Sequence, residues 1–366
     1  MRERVKRIYK NLESSVDAIV LMNAVDPHLD MSFFHATDLV TGGLFERSAA
    51  ILWPDGRVEV FTSRLEEPSA RKATEIDLVV YETNDERNEH LARRLSGLSN
   101  VGVNPNELTH ADHQTLSATI KGPKLVDVGK AVAHARLVKD KKELDRMQRA
   151  ADIASRVADE IPSMLKAGMM EYELAAEINY RMQRLGSSGP SFSTIVGFGE
   201  NSAEPHYTSG ERRLAEGDYV LCDFGAYYQH YASDITRTFV FGKASAKHRE
   251  VYDIVLDAQR IGLEACRAGA NGGDVHKAVA ARIDATPYKG RFIHGTGHSL
   301  GLAVHDGPGL HPRWNLTLEE GMVMTVEPGI YLPDFGGVRI EDDVVITRDG
   351  CRLLTTAKKA FVEVHP

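Results

Sequence analysis

The sequence predicts an α+β protein of two domains, a smaller α/β domain followed by a larger one built on a curved antiparallel sheet. Three observations predict it. The chain has 366 residues, enough for two domains of ordinary size. Residues 1 to about 130 alternate short apolar runs with short helical patterns. From Lys141 long helical patterns begin, and the later strands are joined as hairpins, a grouping that implies an α+β domain. The expected division is 1–130 for the first domain, 131–140 for a linker and 141–366 for the second.

Composition narrows the class. Hydrophobic content of 42% and charged content of 26% are those of a soluble globular protein. A formal charge of -8 with no basic face argues against nucleic acid as a main partner. No apolar run approaches the roughly 18 residues of a membrane span. Cys222, Cys266 and Cys351 are far apart and form no CxxC pair, which fits reduced thiols in a cytoplasmic protein. Met1 to Lys10 reads as an amphipathic helix without the apolar core of a signal peptide.

In order, Asp17 to Met22 is an apolar strand. Ser48 to Trp53 and Arg57 to Thr62 flank Pro54-Asp55-Gly56, a hairpin turn signal. Leu78 to Tyr81 and Val101 to Val103 are further strands with a polar helix, Asn84 to Leu95, between them. Asp26, His28, Asp30 and His35 are scattered and read as structural. In the second domain Leu144, Met147, Ala151, Ala154 and Val157 recur at helical spacing until Pro162, which kinks or ends the helix. Glu171 to Leu185 is a second amphipathic helix. Ser245 caps a third, closed near Gly269, and Asp274 a fourth. Strands are expected at Ser191 to Val196, Tyr219 to Asp223, Ile235 to Phe241, Met322 to Val326, Asp343 to Thr347 and Phe361 to Val364.

The chemistry begins at the hairpin of residues 219 to 238, where Asp223 and Asp234 interrupt strand-like sequence. A turn centred on Tyr228 and Gln229 sets the two carboxylates opposite each other, within about 5.5 Å Cα to Cα. Carboxylates that close repel unless a cation or a shared proton intervenes, so a metal site is expected. Downstream, His294, His298 and His305 lie in a glycine-rich segment. Glu327 ends an apolar strand, where a charge is costly to bury, and Glu341 follows Val338-Arg339-Ile340 in another. Four carboxylates with an imidazole make a hard-to-borderline divalent site with room for two ions. Asp223-Phe-Gly225 imitates the kinase magnesium motif without its companions.

The segments Asp223-Phe-Gly-Ala, Ser-Asp234-Ile-Thr-Arg-Thr, His-Gly-Thr-Gly-His298, Val-His305-Asp, Val-Glu327-Pro-Gly-Ile-Tyr and Gly-Gly-Val-Arg-Ile-Glu341-Asp together resemble the pita-bread metallopeptidases, the family of methionine aminopeptidase, aminopeptidase P and Xaa-Pro dipeptidase. The resemblance is strong over residues 137 to 366. The first 130 residues resemble the creatinase-type N-terminal domain of the proline-directed branch. It implies that Asp223 chelates one metal, that Asp234 and Glu341 bridge two, and that His298 with Glu327 completes the other. It further implies that the ions share a hydroxide that attacks the scissile carbonyl while Glu327 shuttles its proton. His305 and His206 are implied to meet the substrate, with His294 beside them, and Arg339 to orient a ligand carboxylate. Arg313 stands where prolidases hold the dipeptide carboxylate, which favours a dipeptidase over aminopeptidase P on longer peptides. Two divalent ions, Mn²⁺ or Co²⁺ with Zn²⁺ also admitted, are the implied cofactors, and a homodimer is the implied assembly. The competing readings are a non-peptidase hydrolase and a non-catalytic peptide-binding module on the same fold.

Overall fold

The computed structural model describes residues 2–365. The chain divides into two compact units, the first ending at Arg136 and the second beginning at Leu137. Residues 131–140, expected as a linker, hold most of the helix Gly129–Leu137 and end on Asp140, the N-cap of the next helix.

The first unit is a six-stranded mixed sheet in the order Asp77–Tyr81, Val58–Ser63, Ala49–Leu52, Ala18–Met22, Asn100–Val103, Lys124–Asp127. Ala18–Met22 runs antiparallel to one neighbour and parallel to the other, and every residue in it is buried. A strand covered on both faces reads as a continuous apolar run, which is why this one is plain in the sequence. Its side chains pack with Leu91, Leu95 and Leu116 from the helices Asn84–Leu95 and His110–Thr119. The expected N-terminal helix is present over Arg2–Lys10, Met1 lying outside the described residues. Asp30 caps the helix Met31–Thr37 by accepting from the Phe33 N–H, a structural role as expected.

In the second unit Ile195–Phe198, Tyr219–Phe224 and Ile235–Phe241 form an antiparallel sheet, extended by the short parallel strand Glu363–Val364. Val220, Cys222 and Phe224 enter a core with Ile153, Val157, Leu174 and Ile178 from the helices Lys141–Glu160 and Glu171–Arg184. Strand alternation then sends Asp223 to the opposite face. The remaining strands are Val323–Val326 paired with Asp342–Ile346, and the hairpin Gly329–Leu332 with Gly336–Arg339. The hairpin packs against the helices Ala246–Ala265 and Gly272–Asp284 through Val251, Val255, Val279, Ile330 and Val338, and the other pair packs with Val275 through Met324, Val326 and Val344. The α+β architecture is the expected one, with local differences. The last helix is capped by Asn271 rather than Asp274, because Gly272 and Gly273 continue the helix N-terminally. Ser191 to Val196 yields a strand only from Ile195. The three cysteines are free thiols, and among the described residues no helix is long and apolar enough to cross a membrane.

Candidate metal centre

The hairpin that carries Asp223 and Asp234 turns at Gln229 and His230, whose φ values of 50° and 63° are what a two-residue hairpin turn demands. Tyr228 therefore pairs with Tyr231, and Asp223 lies opposite Thr236. The sequence expectation of Asp223 facing Asp234 is corrected: the carboxylates are diagonal neighbours. Gln-His lacks the glycine or asparagine that usually marks this turn, so the shift had no local signal. The partner of Asp223 changes by two positions, which preserves the face, and both carboxylates still point the same way. Ser233 O lies so close to Gly225 that a Cβ there would meet it at 1.8 Å, which requires glycine between the two ligands' segments.

Glu327 and Glu341 each sit at a break between strands. Glu327 falls between Val323–Val326 and Gly329–Leu332, and its N–H donates to Thr296 O at 2.8 Å. Glu341, expected within a strand, occupies the gap between Gly336–Arg339 and Asp342–Ile346, where its N–H donates to Thr236 O at 3.2 Å. The break is held from behind. Arg237, 2% exposed, donates to the carbonyls of Thr236, Glu341, Ala357 and Lys358 and to Asp342 Oδ1 at 2.7 Å. Asp342 in turn accepts from Thr355, Gln259 and Lys359. A buried pair of this kind stabilises only when its remaining polar atoms are satisfied, and here they are.

His298 arrives on a loop laid along Val323–Val326, its N–H donating to Thr325 Oγ1 at 3.0 Å while Thr325 N–H donates to His298 O at 2.9 Å. Gly297 allows this, since a Cβ there would meet Thr325 O at 1.9 Å. His298 Nδ1 faces the Ser299 carbonyl at 3.3 Å, which fixes the proton on Nδ1 and leaves the Nε2 lone pair inward. Nε2 lies 3.6 Å from both Asp234 Oδ2 and Glu327 Oε1. Ligand atoms of Asp234, His298 and Glu341 all fall within 4.8 Å of one another.

The electrostatics describe a cage that wants a cation. Burial first, and the neighbouring carboxylates second, push the Asp234 and Glu341 carboxyls well above the usual range. Burial also raises Glu327. Burial pushes the His298 imidazole down to about 4, so it is neutral and ready to ligate near neutral pH. Asp223 Oδ1 and Asp234 Oδ1 are buried without a hydrogen-bond partner. Orphaned carboxylate oxygens aimed among other carboxylates fit divalent metal, and the oxygen-rich donor set with one imidazole suits it.

All ten residues singled out in the sequence line one cavity of about 510 Å³: His206, Asp223, Asp234, His294, His298, His305, Arg313, Glu327, Arg339 and Glu341. His305 packs edge-on to His298 with ring centroids 4.2 Å apart. Burial first, then the neighbouring His298, lowers its imidazole. Arg339 binds Asp223 through Nη2, Thr236 Oγ1 through Nε and Tyr331 Oη through Nη1. Tyr331 Oη lies 2.7 Å from His294 Nε2, and His294 Nδ1 donates to Gly295 O at 2.8 Å, so Tyr331 donates to the imidazole. Thr236 donates to Glu341 Oε2 at 2.6 Å, and Asp343 Oδ2 accepts the Asp234 N–H at 2.9 Å. Sequence alone assigns no role to Tyr331, Thr236 or Asp343, although Thr236 and Tyr331 lie in the segments that carry the resemblance and Asp343 is a charge in an apolar strand.

Comparison with known proteins agrees with this geometry. Residues 145–348 match the model of metallopeptidase family M24, and residues 4–138 that of the creatinase/prolidase N-terminal domain. The chain is 31% identical over 363 residues to a Xaa-Pro dipeptidase of Pyrococcus furiosus, covering 99% of this chain and 100% of that one. It superposes on the structure of a Xaa-Pro dipeptidase from Bacillus anthracis with a TM-score of 0.89 at 31% identity, covering 99% of both chains. An X-Pro aminopeptidase from Thermotoga maritima gives a TM-score of 0.89 at 30% identity, covering 95% of this chain and 98% of that one.

Proposed function

The chain belongs to metallopeptidase family M24, and from that premise we propose that it hydrolyses the Xaa-Pro bond, foremost in dipeptides. The observation that carries the proposal is the single cavity that gathers all five candidate ligands together with His206, His305 and, at its exposed rim, Arg313. Two divalent cations, when bound, would polarise the scissile carbonyl and activate water at neutral pH. Asp223, Asp234, His298, Glu327 and Glu341 would hold them, with Mn²⁺ or Co²⁺ the proposed metals.

The protein's own groups then have separable tasks. Glu327, its carboxyl raised by burial, takes and returns a proton within reach of the leaving nitrogen. His305 and His206 hold the substrate carbonyl, and His305 stabilises the oxyanion. Arg339 keeps Asp223 in one orientation. Arg313, stacked on Trp314 at 5.2 Å, takes the dipeptide carboxylate. A prolyl amide has no N–H to hold, and none of these tasks needs one.

A second reading, removal of the first residue from longer Xaa-Pro peptides, is supported by the equal TM-score to the X-Pro aminopeptidase. Metal-loaded protein assayed on Xaa-Pro dipeptides and on longer Xaa-Pro peptides decides between them. Cleavage of only the longer set rejects the dipeptidase, and cleavage of neither rejects the peptidase. The same preparation in sedimentation tests the proposed homodimer.

A further inference from the structure

His206 reaches the cavity from an irregular loop, and the residue is exposed. Among the described residues no hydrogen bond holds its side chain. Its neighbours are held instead. The Pro205 carbonyl accepts from Arg339 Nη2 at 3.4 Å, and Tyr207 donates its hydroxyl to Glu171 Oε2 at 2.8 Å. Glu171 is the first residue of the helix Glu171–Arg184 and is completely buried. Its Oε1 accepts from Phe198 N–H at 2.8 Å and Asn201 Nδ2 at 3.0 Å, and its Oε2 from Tyr207 and from Gly210 N–H at 3.0 Å. These donors stand at the start, middle and end of the loop. Gly210 fits because nothing larger does easily: a Cβ there would meet Tyr207 Oη at 3.0 Å and Glu171 Oε2 at 3.5 Å. Two carboxylate oxygens, each with two lone-pair sites, match the four donors one for one.

We propose that Glu171 is a positioning residue for peptide hydrolysis, clamping residues 198–210 so that His206 projects into the cavity. The inference rests on the peptidase reading of His206 given above. A carboxamide in its place offers one acceptor oxygen and turns an NH₂ toward two of the four donors, so the clamp opens on one side.

The test uses the full-length protein loaded with diamagnetic Zn²⁺ for NMR of ¹³C-labelled histidine, the His206 ring signal being the one that disappears in His206→Ala, and loaded with Mn²⁺ for kinetics. Glu171→Gln and the milder Tyr207→Phe should each shift or broaden that signal. Each should also raise KM for an Xaa-Pro dipeptide roughly tenfold, with kcat changed less. On a His206→Ala background, Glu171→Gln should add less than about twofold, because its effect runs through that side chain. A folded Glu171→Gln protein with an unmoved His206 signal, or fully additive losses, overturns the clamp. If Glu171→Gln does not fold, Tyr207→Phe decides by the same readouts. If His206→Ala turns over substrate normally while the signal still moves in Glu171→Gln, the clamp stands and the substrate role of His206 falls.

Discussion

Arg339 grips one oxygen of Asp223 and leaves the other, Oδ1, buried without a hydrogen-bond donor. The free oxygen is therefore buried, in a carboxylate whose charge acts on Asp234, Glu327 and Glu341. Arg339 is itself fixed at three further points, by Thr236, Tyr331 and Pro205. Its planar fork serves where a point charge does not.

Arg339→Lys therefore keeps the charge and loses the orientation. Metal affinity should fall between about tenfold and a hundredfold, the usual cost of losing a partner that orients a ligand. Titration calorimetry with Mn²⁺ measures it, and an unchanged isotherm sinks the role assigned to the fork.

Asp234 and Glu341 are assigned to both ions. Replacing either by Ala should reduce bound metal from two per chain to none at micromolar free metal, whereas Asp223→Ala should retain one. Metal analysis after gel filtration reads this directly. Two ions retained by either of the first two variants would falsify the bridging assignment.

Arg313 sits at the exposed rim, so its pairing with a substrate carboxylate is partly screened. Arg313→Ala should raise KM for dipeptides by about tenfold, near the lower end for a charged hydrogen bond, and leave longer peptides within about twofold. Equal losses on both substrate lengths would remove its carboxylate role.

The cage also predicts how stability follows pH. Asp234 and Glu341 have acid forms favoured first by burial and then by neighbouring carboxylates, Glu341 acting on Asp234, and Glu327 with Asp223 acting on Glu341, so their folded-state pKa values lie above the unfolded ones. The folded metal-free protein then holds more protons than the unfolded chain, and its stability falls as pH rises from the ordinary carboxylate range through the raised values. His298, depressed to about 4, acts oppositely, its contribution being lost as pH falls from about 6.5 through that value. Above about pH 6.5 the imidazole is neutral in both states and no longer offsets the carboxyls. Calorimetry in chelator should show a Tm that declines as pH rises through the raised carboxyl values, and saturating metal should flatten the decline. Parallel slopes with and without metal would refute the account.

What could be read from the sequence follows from what burial makes conspicuous. Asp223, Asp234 and Glu327 stand out because a carboxylate in an apolar strand needs a reason, whereas His298 is singled out only by the His-Gly-Thr-Gly-His298 segment of the family resemblance. The register of the hairpin was not readable, since Gln229 and His230 adopt positive φ without the residues that advertise it. Glu171 looks like any acidic residue opening a helix; only the fold discloses that the chain of residues 198–210 closes over it. Tyr331 closes one of the resembling segments, but its strand setting does not reveal the hydroxyl's two partners. Arg237 likewise passes for strand sequence until its five contacts are seen.

Those five contacts have a practical consequence. The turn bearing Glu341 is braced by Arg237 and Asp342 through atoms outside the proposed ligand set, so the entropy of arranging the ligands is spent when the chain folds and not when metal arrives. Stripping with chelator should leave an empty but standing scaffold, which takes up a different divalent ion without a refolding step. A single batch of protein can then be recharged with Mn²⁺, Co²⁺ or Zn²⁺ in turn, and the turnover of each compared on one polypeptide.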